Sequence, residues 1–460
     1  VANSILSEKR LGLLYQELLR AGDHKGETSP IGATTASSEC SPVSPLEWLS
    51  NSTIYPRMYW SSRDGQFEIA GCGSAWSVSE NDSDSISERL DEISDLLVNY
   101  SSGQPQYAIG GVCFDPAAGR DTLWKDFPAL WFVLPKIALV RDGSDYRIHV
   151  SARPGDTFDL DRVREYLYTA NSFLQSGEHL AGGQSAYIVD RTDKPDRTGW
   201  VRMVERAVDE IGRETIDKVV LGRRSDLRLS SDLAPVSFLS ELKQANAGCY
   251  GVMLEPRPGA AFVSASPERL FKMERNSLRS EAIAGTIKRS EDDHQSEEQL
   301  LASSKDRVEQ RYVIDGVLDN LRDLSRTVRV DEQPEILRLP NVFHLRSRIS
   351  AELNENVRFT DVLRALHPTA AVCGLPRSKA HDLIRVFEPF DRGWYAGAVG
   401  CISGDTSEFA VAIRSALIHN MNVSLFAGAG IVAQSSPDSE WRELEHKLAT
   451  AMQPLAGVQV

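Results

Sequence analysis

Several charged residues stand where the surrounding pattern calls for apolar ones, and each suits a particular chemistry. Lys218 opens the apolar run Val219-Val220-Leu221. Strand alternation puts it on the same side as Val220. Buried there, it would have its pKa lowered by desolvation and could act as a base near neutral pH; at a strand edge it would only deter unwanted pairing. Glu268 follows Ser266-Pro267 in a predicted turn. It reads either as a general acid of raised pKa or as a turn residue paired with Arg269. Arg414 interrupts the apolar segment EFAVAIRSALI, and an interior arginine usually holds a carboxylate. Glu309 borders a helical stripe of Val308, Tyr312, Val313 and Val317, so it points either inward or to solvent.

The last predicted helix carries Glu440, Glu443 and Lys447 on one face, with Trp441, Leu444 and Leu448 on a packing face. Two carboxylates one turn apart can flank a hard cation such as Mg²⁺, or can form a solvated, salt-bridged surface. The segment Gly428-Ala-Gly430-Ile-Val-Ala433 fits GxGxxA in form only. In a dinucleotide site the glycines open the helix directly, whereas here the helix-start signal waits until Ser436-Pro437. The glycines therefore read as a loop whose backbone N–H groups approach an anion, or as a plain hairpin turn.

The elements that must position these residues follow from periodicity. Helical spacing is predicted over 5–21, 84–101, 160–176, 199–213, 235–245, 291–324, 360–366 and 437–452. Between 22 and 54 the chain is rich in Ser, Thr, Gly and Pro and reads as a long loop. From Met58 to Ile148 short strand runs alternate with turns, and strands return at 218–229, 250–274 and 394–434. The segment LHPTAAVCGLPR reads as a loop. This is not strict βαβ alternation, so the class is α+β rather than a doubly wound sheet, with each half expected to contribute a sheet to one core. The organisation expected is an N-terminal helix and loop over 1–57, a first half of the fold over 58–198 and a catalytic region over 199–455.

Composition narrows the function. Of the 460 residues, 51 are Lys or Arg and 65 are Asp or Glu, for a net charge of −14. Such a surface repels polyanions, so neither nucleic acid nor an anionic membrane is expected as a partner. No apolar run reaches the ~18 residues of a membrane span. The six cysteines form no CxxC pair, so reduced, mostly buried thiols are expected rather than a zinc site or a disulfide scaffold. The chain begins with Val1 rather than a methionine, which reads as a processed or trimmed start. No signal peptide is visible, and an excised transit peptide would leave no trace.

Ordered blocks along the second half carry a family resemblance: KVVLGR (218–223), SPERLF (266–271), AIAGTIKR (282–289), SSKDRVEQ (303–310), HLRS (344–347), LHPTAAVCGLPR (366–377), EPFDRGWYAGAVG (388–400), SEFAVAIRSA (407–416) and AGAGIVAQSSPDSEWRELEHK (427–447). The chain resembles the chorismate-utilising enzymes, which comprise isochorismate, salicylate, anthranilate and aminodeoxychorismate synthases. That resemblance implies two large, mainly antiparallel β-sheets packed in one core with helices outside. YWSSRDG (59–65) and GGVCFDP (110–116) look like the family's variable half.

Within the family, Lys218 stands where anthranilate synthases usually carry Gln, and implies a base that activates water. Ala284 stands where aminodeoxychorismate synthases carry a nucleophilic lysine, so covalent amination is not implied. LHPTAAVCGLPR and EPFDRGWYAG look like isochorismate synthases of the menaquinone or phylloquinone type; salicylate synthases usually differ there. No amidotransferase-like elbow is visible, and a monomer is implied. The compartment would be bacterial cytoplasm or plastid stroma.

The resemblance further implies roles. Glu309 and Glu443 would hold Mg²⁺, with Glu440 acting through water, and the ion would bind the ring carboxylate of chorismate. Tyr395 and Arg414 would take the enolpyruvyl carboxylate. Gly285, Thr286, Gly428 and Gly430 would offer donors, Lys447 positive charge, and His344 and Thr369 would line the ring. Lys218 would deprotonate water for attack at C2, and Glu268 would protonate the departing C4 hydroxyl. The implied activity is isochorismate synthase. The alternatives are salicylate synthase, which would also eliminate pyruvate, and a non-catalytic chorismate-binding protein.

Overall fold

Strands buried along their whole length, such as Leu130–Leu134 and Ala260–Ser266, must be covered on both faces. In the computed structural model, two antiparallel sheets supply that cover. The structure describes residues 6–23, 34–98, 105–119, 121–152, 186–289, 293–339, 342–404 and 406–455. Among these residues the first sheet has 12 strands in the order Thr34–Glu39, Asp145–Ala152, Ile137–Asp142, Phe67–Cys72, Arg57–Ser61, Tyr250–Arg257, Ala260–Ser266, Ser415–His419, Asn422–Ile431, Lys218–Leu229 and Gly374–Leu375, with Ile188–Lys194 also paired to Lys218–Leu229. The second has 10: Ser325–Val330, Val342–Leu353, Ser277–Lys288, Arg269–Glu274, Thr406–Val411, Ala398–Ser403, Ala108–Val112, Leu130–Leu134 and Trp76–Glu80, with Glu335–Arg338 on Val342–Leu353. The fold class is α+β, as the strand and helix pattern implied.

The two halves of the chain do not each own a sheet. Arg57–Ser61 pairs with Tyr250–Arg257, and Ala108–Val112 pairs with Ala398–Ser403. Each sheet is therefore completed only when both halves are present. Ladder hydrogen bonds are made by backbone groups common to every residue, so side-chain patterns could not reveal which strands share a sheet.

Helices appear close to where periodicity put them, with informative exceptions. The predicted 291–324 helix is two, Asp293–Ala302 and Ser304–Leu321, because Ser303 breaks the first and caps the second by accepting the Asp306 N–H at 3.3 Å. The buried stripe of Ser304–Leu321 is Gln310, Val313, Val317 and Leu321, whereas Val308 is 47 % exposed and Tyr312 half-buried. Gln310 is admitted to the interior because its amide donates to the Ala282 carbonyl and the Ser347 hydroxyl. The presumed loop 22–54 contains the edge strand Thr34–Glu39 and the short helix Pro45–Ser50. LHPTAAVCGLPR runs into the two-residue strand Gly374–Leu375 and an unanticipated helix, Arg377–Phe387. That helix is mostly polar and buries only Ala380 and Ile384. The predicted 160–176 helix lies outside the described residues. All six cysteines are free, five of them buried. Among the described residues no helix is long and apolar enough to cross a membrane.

A buried ion pair pins the strand Lys218–Leu229 to its surroundings. Arg392 contacts Glu388 at 2.5 Å and donates to the carbonyls of Val372 and Val220, while Glu388 accepts the Gly222 N–H. Removing one partner strands a desolvated charge. Arg392→Ala is expected to cost about 3–5 kcal/mol in urea unfolding.

Candidate active site

Two short crossings carry the chain between the sheets, and two predicted site residues, Glu268 and Arg414, sit on them. Pro267-Glu268 links Ala260–Ser266 of the first sheet to Arg269–Glu274 of the second. Residues 412–414 link Thr406–Val411 back to Ser415–His419. Arg414 thus does not interrupt a strand; it stands at the break between two, with a left-handed φ of 51°. The crossings adjoin, and the Val411 N–H donates to the Glu268 carbonyl.

One cavity at this junction is walled by Glu268, Gly285, Thr286, Glu309, His344, Tyr395, Arg414, Gly428, Gly430, Glu443 and Lys447. Residues separated by nearly 180 positions in sequence meet there. Three predicted site residues are not on the wall. Lys218 is fully buried, with its Nζ 3.0 Å from Glu309 Oε1. Thr369 is buried beside Glu268, its hydroxyl without a full hydrogen-bond partner, and it lies off the cavity wall. Glu440 is 1 % exposed and held by Lys305 Nζ at 3.0 Å.

Glu268 is a carboxyl removed from water. Burial, reinforced by the nearby Glu281 carboxylate, pushes its pKa up to about 8 against the opposing pull of Lys218 and Lys447. It is not paired with Arg269, whose guanidinium contacts Tyr250 and Glu408. A protonated carboxyl at neutral pH can donate a proton.

Arg414 is the complementary case. Among the described residues it has no carboxylate partner: one Nη donates to Asn246 Oδ1 at 2.9 Å and the other lies 3.3 Å from His344 Nε2. His344 is held neutral, its pKa lowered to about 3 by burial and by Arg414 and Lys447. Its Nδ1 meets the Gly285 carbonyl and the Thr286 hydroxyl. A neutral Nδ1–H tautomer leaves Nε2 to accept from Arg414. His344 therefore orients the arginine as well as facing the cavity. A guanidinium with no internal counter-ion is a receptor for an incoming carboxylate.

Gly428 and Gly430 are not in a loop; they lie within the strand Asn422–Ile431. Their cross-strand partners Gly222 and Val220 give their own N–H groups to Glu388 and the Cys373 carbonyl, away from this strand. Antiparallel alternation then turns the N–H groups of Gly428 and Gly430 outward too. On that side pairing stops at Leu425, so the edge is open to the cavity. A Cβ at Gly428 would strike the Tyr395 hydroxyl, and one at Gly430 would strike Glu309 and the Lys218 stem. Tyr395 stacks on Phe426 at 5.2 Å. Gly285 sits at a register shift in Ser277–Lys288 with φ +72°, which brings its backbone against Asp306.

Each carboxylate predicted to hold a metal is bonded to an ammonium: Glu309 to Lys218, Glu443 to Lys447 at 2.7 Å, and Glu440 to Lys305. As arranged, no three carboxylate, histidine or cysteine side chains among the described residues are clustered tightly enough to enclose an ion. The donor set is all oxygen, which suits a hard cation, and the lysines occupy those oxygens.

The family model described as chorismate binding enzyme matches residues 17–456. The chain belongs to this family. Among its relatives, the isochorismate synthase MenF of Escherichia coli is 33 % identical over 412 residues, covering 88 % of this chain and 89 % of that one. The salicylate biosynthesis isochorismate synthase of Pseudomonas aeruginosa is 32 % identical over 440 residues, covering 92 % and 90 %. The solved structure of MenF, the menaquinone-specific isochorismate synthase from Escherichia coli, superimposes with a TM-score of 0.78 at 30 % identity, over 97 % of this chain and 100 % of that one. Anthranilate synthase component I from Streptococcus pneumoniae shares the fold, with a TM-score of 0.69 at 22 % identity, over 85 % of this chain and 92 % of that one. In this member of the family, sequence reasoning missed Lys305, Asn246 and Glu281. Lys305 lies four residues before Glu309, a spacing that places both on one helix face. Asn246 and Glu281 carried no comparable signal.

Proposed function

We propose that this chain is an isochorismate synthase that interconverts chorismate and isochorismate. The observation that carries the reading is a buried acid, Glu268, on the same cavity as a carboxylate-free arginine, with Lys218 immediately behind Gly430. Arg414 and Tyr395 take the enolpyruvyl carboxylate, and the outward N–H groups of Gly428 and Gly430 offer further donors. Once its pair with Glu309 opens and it has released a proton to solvent, Lys218, as the neutral amine, accepts a proton from water. The water oxygen bonds to C2, the ring double bond shifts, and the C4–O bond breaks as Glu268 delivers its proton to the departing hydroxyl. One water enters and one leaves, so the net change is an isomerisation.

Glu309 and Glu443 would hold Mg²⁺ once Lys218 and Lys447 release their oxygens, with Glu440 acting through water, and the ion would neutralise the ring carboxylate. Chelation is expected to abolish turnover and added Mg²⁺ to restore it. Glu309→Gln should raise the Mg²⁺ concentration for half-maximal rate by roughly tenfold or more, the loss of one charged ligand. An unchanged Mg²⁺ titration would remove Glu309 from the ligand set.

The protein is proposed to act as a monomer without an amidotransferase subunit, in bacterial cytoplasm or plastid stroma according to its source. The deciding experiment is chromatography of products from chorismate with and without Mg²⁺. Isochorismate in equilibrium with chorismate, and no pyruvate, is the expected result. Salicylate with free pyruvate would instead place the chain with salicylate synthases, and no consumption would leave a binding protein.

A further inference from the structure

A second cavity, of about 600 Å³, lies on the charged face of the second sheet. Its walls carry Arg63, Arg269, Arg279, Arg329, Arg346 and Arg348, against two acids, Glu281 and Asp331. Strand alternation builds this face. Arg279 and Glu281 alternate with buried Leu278, Ser280 and Ala282, and Arg346 and Arg348 alternate with buried Leu345, Ser347 and Ile349. Register completes it: Arg348 stands opposite Glu281, while Arg279 and Arg329 both face Ser350 from opposite sides.

The internal acids pair with four of the six guanidinium groups. Glu281 is taken by Arg63 at 2.5 Å and by the Arg269 N–H. Glu335 holds both Arg346 and Arg348, and Glu408 holds Arg269. The side chains of Arg279 and Arg329 make no hydrogen bond or ion pair with any described residue. Two guanidinium groups without an acid, set beside four that are paired, leave this concavity net positive in a chain of net charge −14, which suits an anion.

We propose that this cavity binds a small multivalent anion bearing phosphate or carboxylate groups, at a site separate from the catalytic cavity. Arg279 and Arg329 are its free donors, and Arg346 and Arg348 bridge between the anion and Glu335. Glu281 lies between the two cavities: it accepts from Arg63 on this side and neighbours Glu268 on the other.

The test is calorimetric titration of the full chain with pyrophosphate and, separately, with citrate at low ionic strength. Saturable binding of one equivalent of at least one of them is expected, weakening with salt. The Arg279→Ala/Arg329→Ala double variant should lose roughly tenfold or more in affinity, as expected for losing charge-assisted hydrogen bonds. Both side chains are exposed and unbonded, so its melting temperature and turnover should match the parent. Arg414→Ala and saturating chorismate should leave anion binding unchanged. Tighter pyrophosphate would identify a phosphate ligand, and tighter citrate a polycarboxylate. No saturable binding, equal binding by the double variant, or competition by chorismate would overturn the proposal.

Discussion

Glu268→Gln is expected to lower turnover by about 10²–10⁴-fold, the range for losing a general acid, with the KM for chorismate little changed. The amide keeps the shape of the carboxyl but has no proton to give to a leaving hydroxyl. The parent should also lose activity as pH rises through about 8, where Glu268 ionises. Glu268→Gln should lack that alkaline limb. The stability consequence has a definite sign. Folded Glu268 keeps its proton up to about 8, whereas an unfolded glutamate releases it in the ordinary carboxylate range. Between those limits the folded state binds the extra proton, so this group opposes folding increasingly as pH rises through the window. Glu268→Gln should therefore be at least as stable as the parent near pH 8 by thermal melting. A variant that is both inactive and unfolded would not support the role; one that is inactive and stable would.

Lys218→Ala is expected to abolish hydration of the ring while chorismate still binds. The loss should reach or exceed about 10²–10⁴-fold if the lysine is the base. In water labelled with heavy oxygen, the parent should place one labelled oxygen at C2 of the product, and the variant should incorporate none. The substitution also leaves Glu309 without its partner at 3.0 Å, which costs stability apart from any chemistry. The double variant Lys218→Ala/Glu309→Gln removes that unpaired charge. It should recover melting temperature but not turnover. Near-normal turnover in Lys218→Ala would overturn the assignment of the base.

The local features of the site were legible in the chain because they follow from short-range pattern. The final helix was predicted over 437–452, and the structure forms Pro437–Met452, with Ser436 accepting the Ser439 N–H as its cap. Alternation put Lys218 on the side of Val220, and both are buried. The anomaly of a lone charge in an apolar run marked Lys218 and Arg414, since burying a charge is costly enough that its presence requires a reason. The ordered motifs marked the family.

What the chain alone could not determine depends on which backbone lies beside which. Glycines 428 and 430 read as a turn but lie in a strand, because a glycine pair serves equally well in either until a partner strand supplies the ladder. Arg414 read as an interruption, yet it marks where the chain leaves one sheet for the other. Assignment of both halves to both sheets rests on backbone hydrogen bonds that carry no side-chain signature. Tertiary structure also decided the electrostatics. The raised pKa of Glu268 comes from burial and from Glu281, and the neutral His344 that orients Arg414 comes from burial first, then from the arginine itself and Lys447. Residue types and local periodicity thus determined the elements and the reactive groups, because both act over one or two turns of chain. Which carboxyl keeps its proton and which arginine lacks a counter-ion were decided only by folding, because desolvation and charge coupling depend on distances that the chain sets by closing on itself.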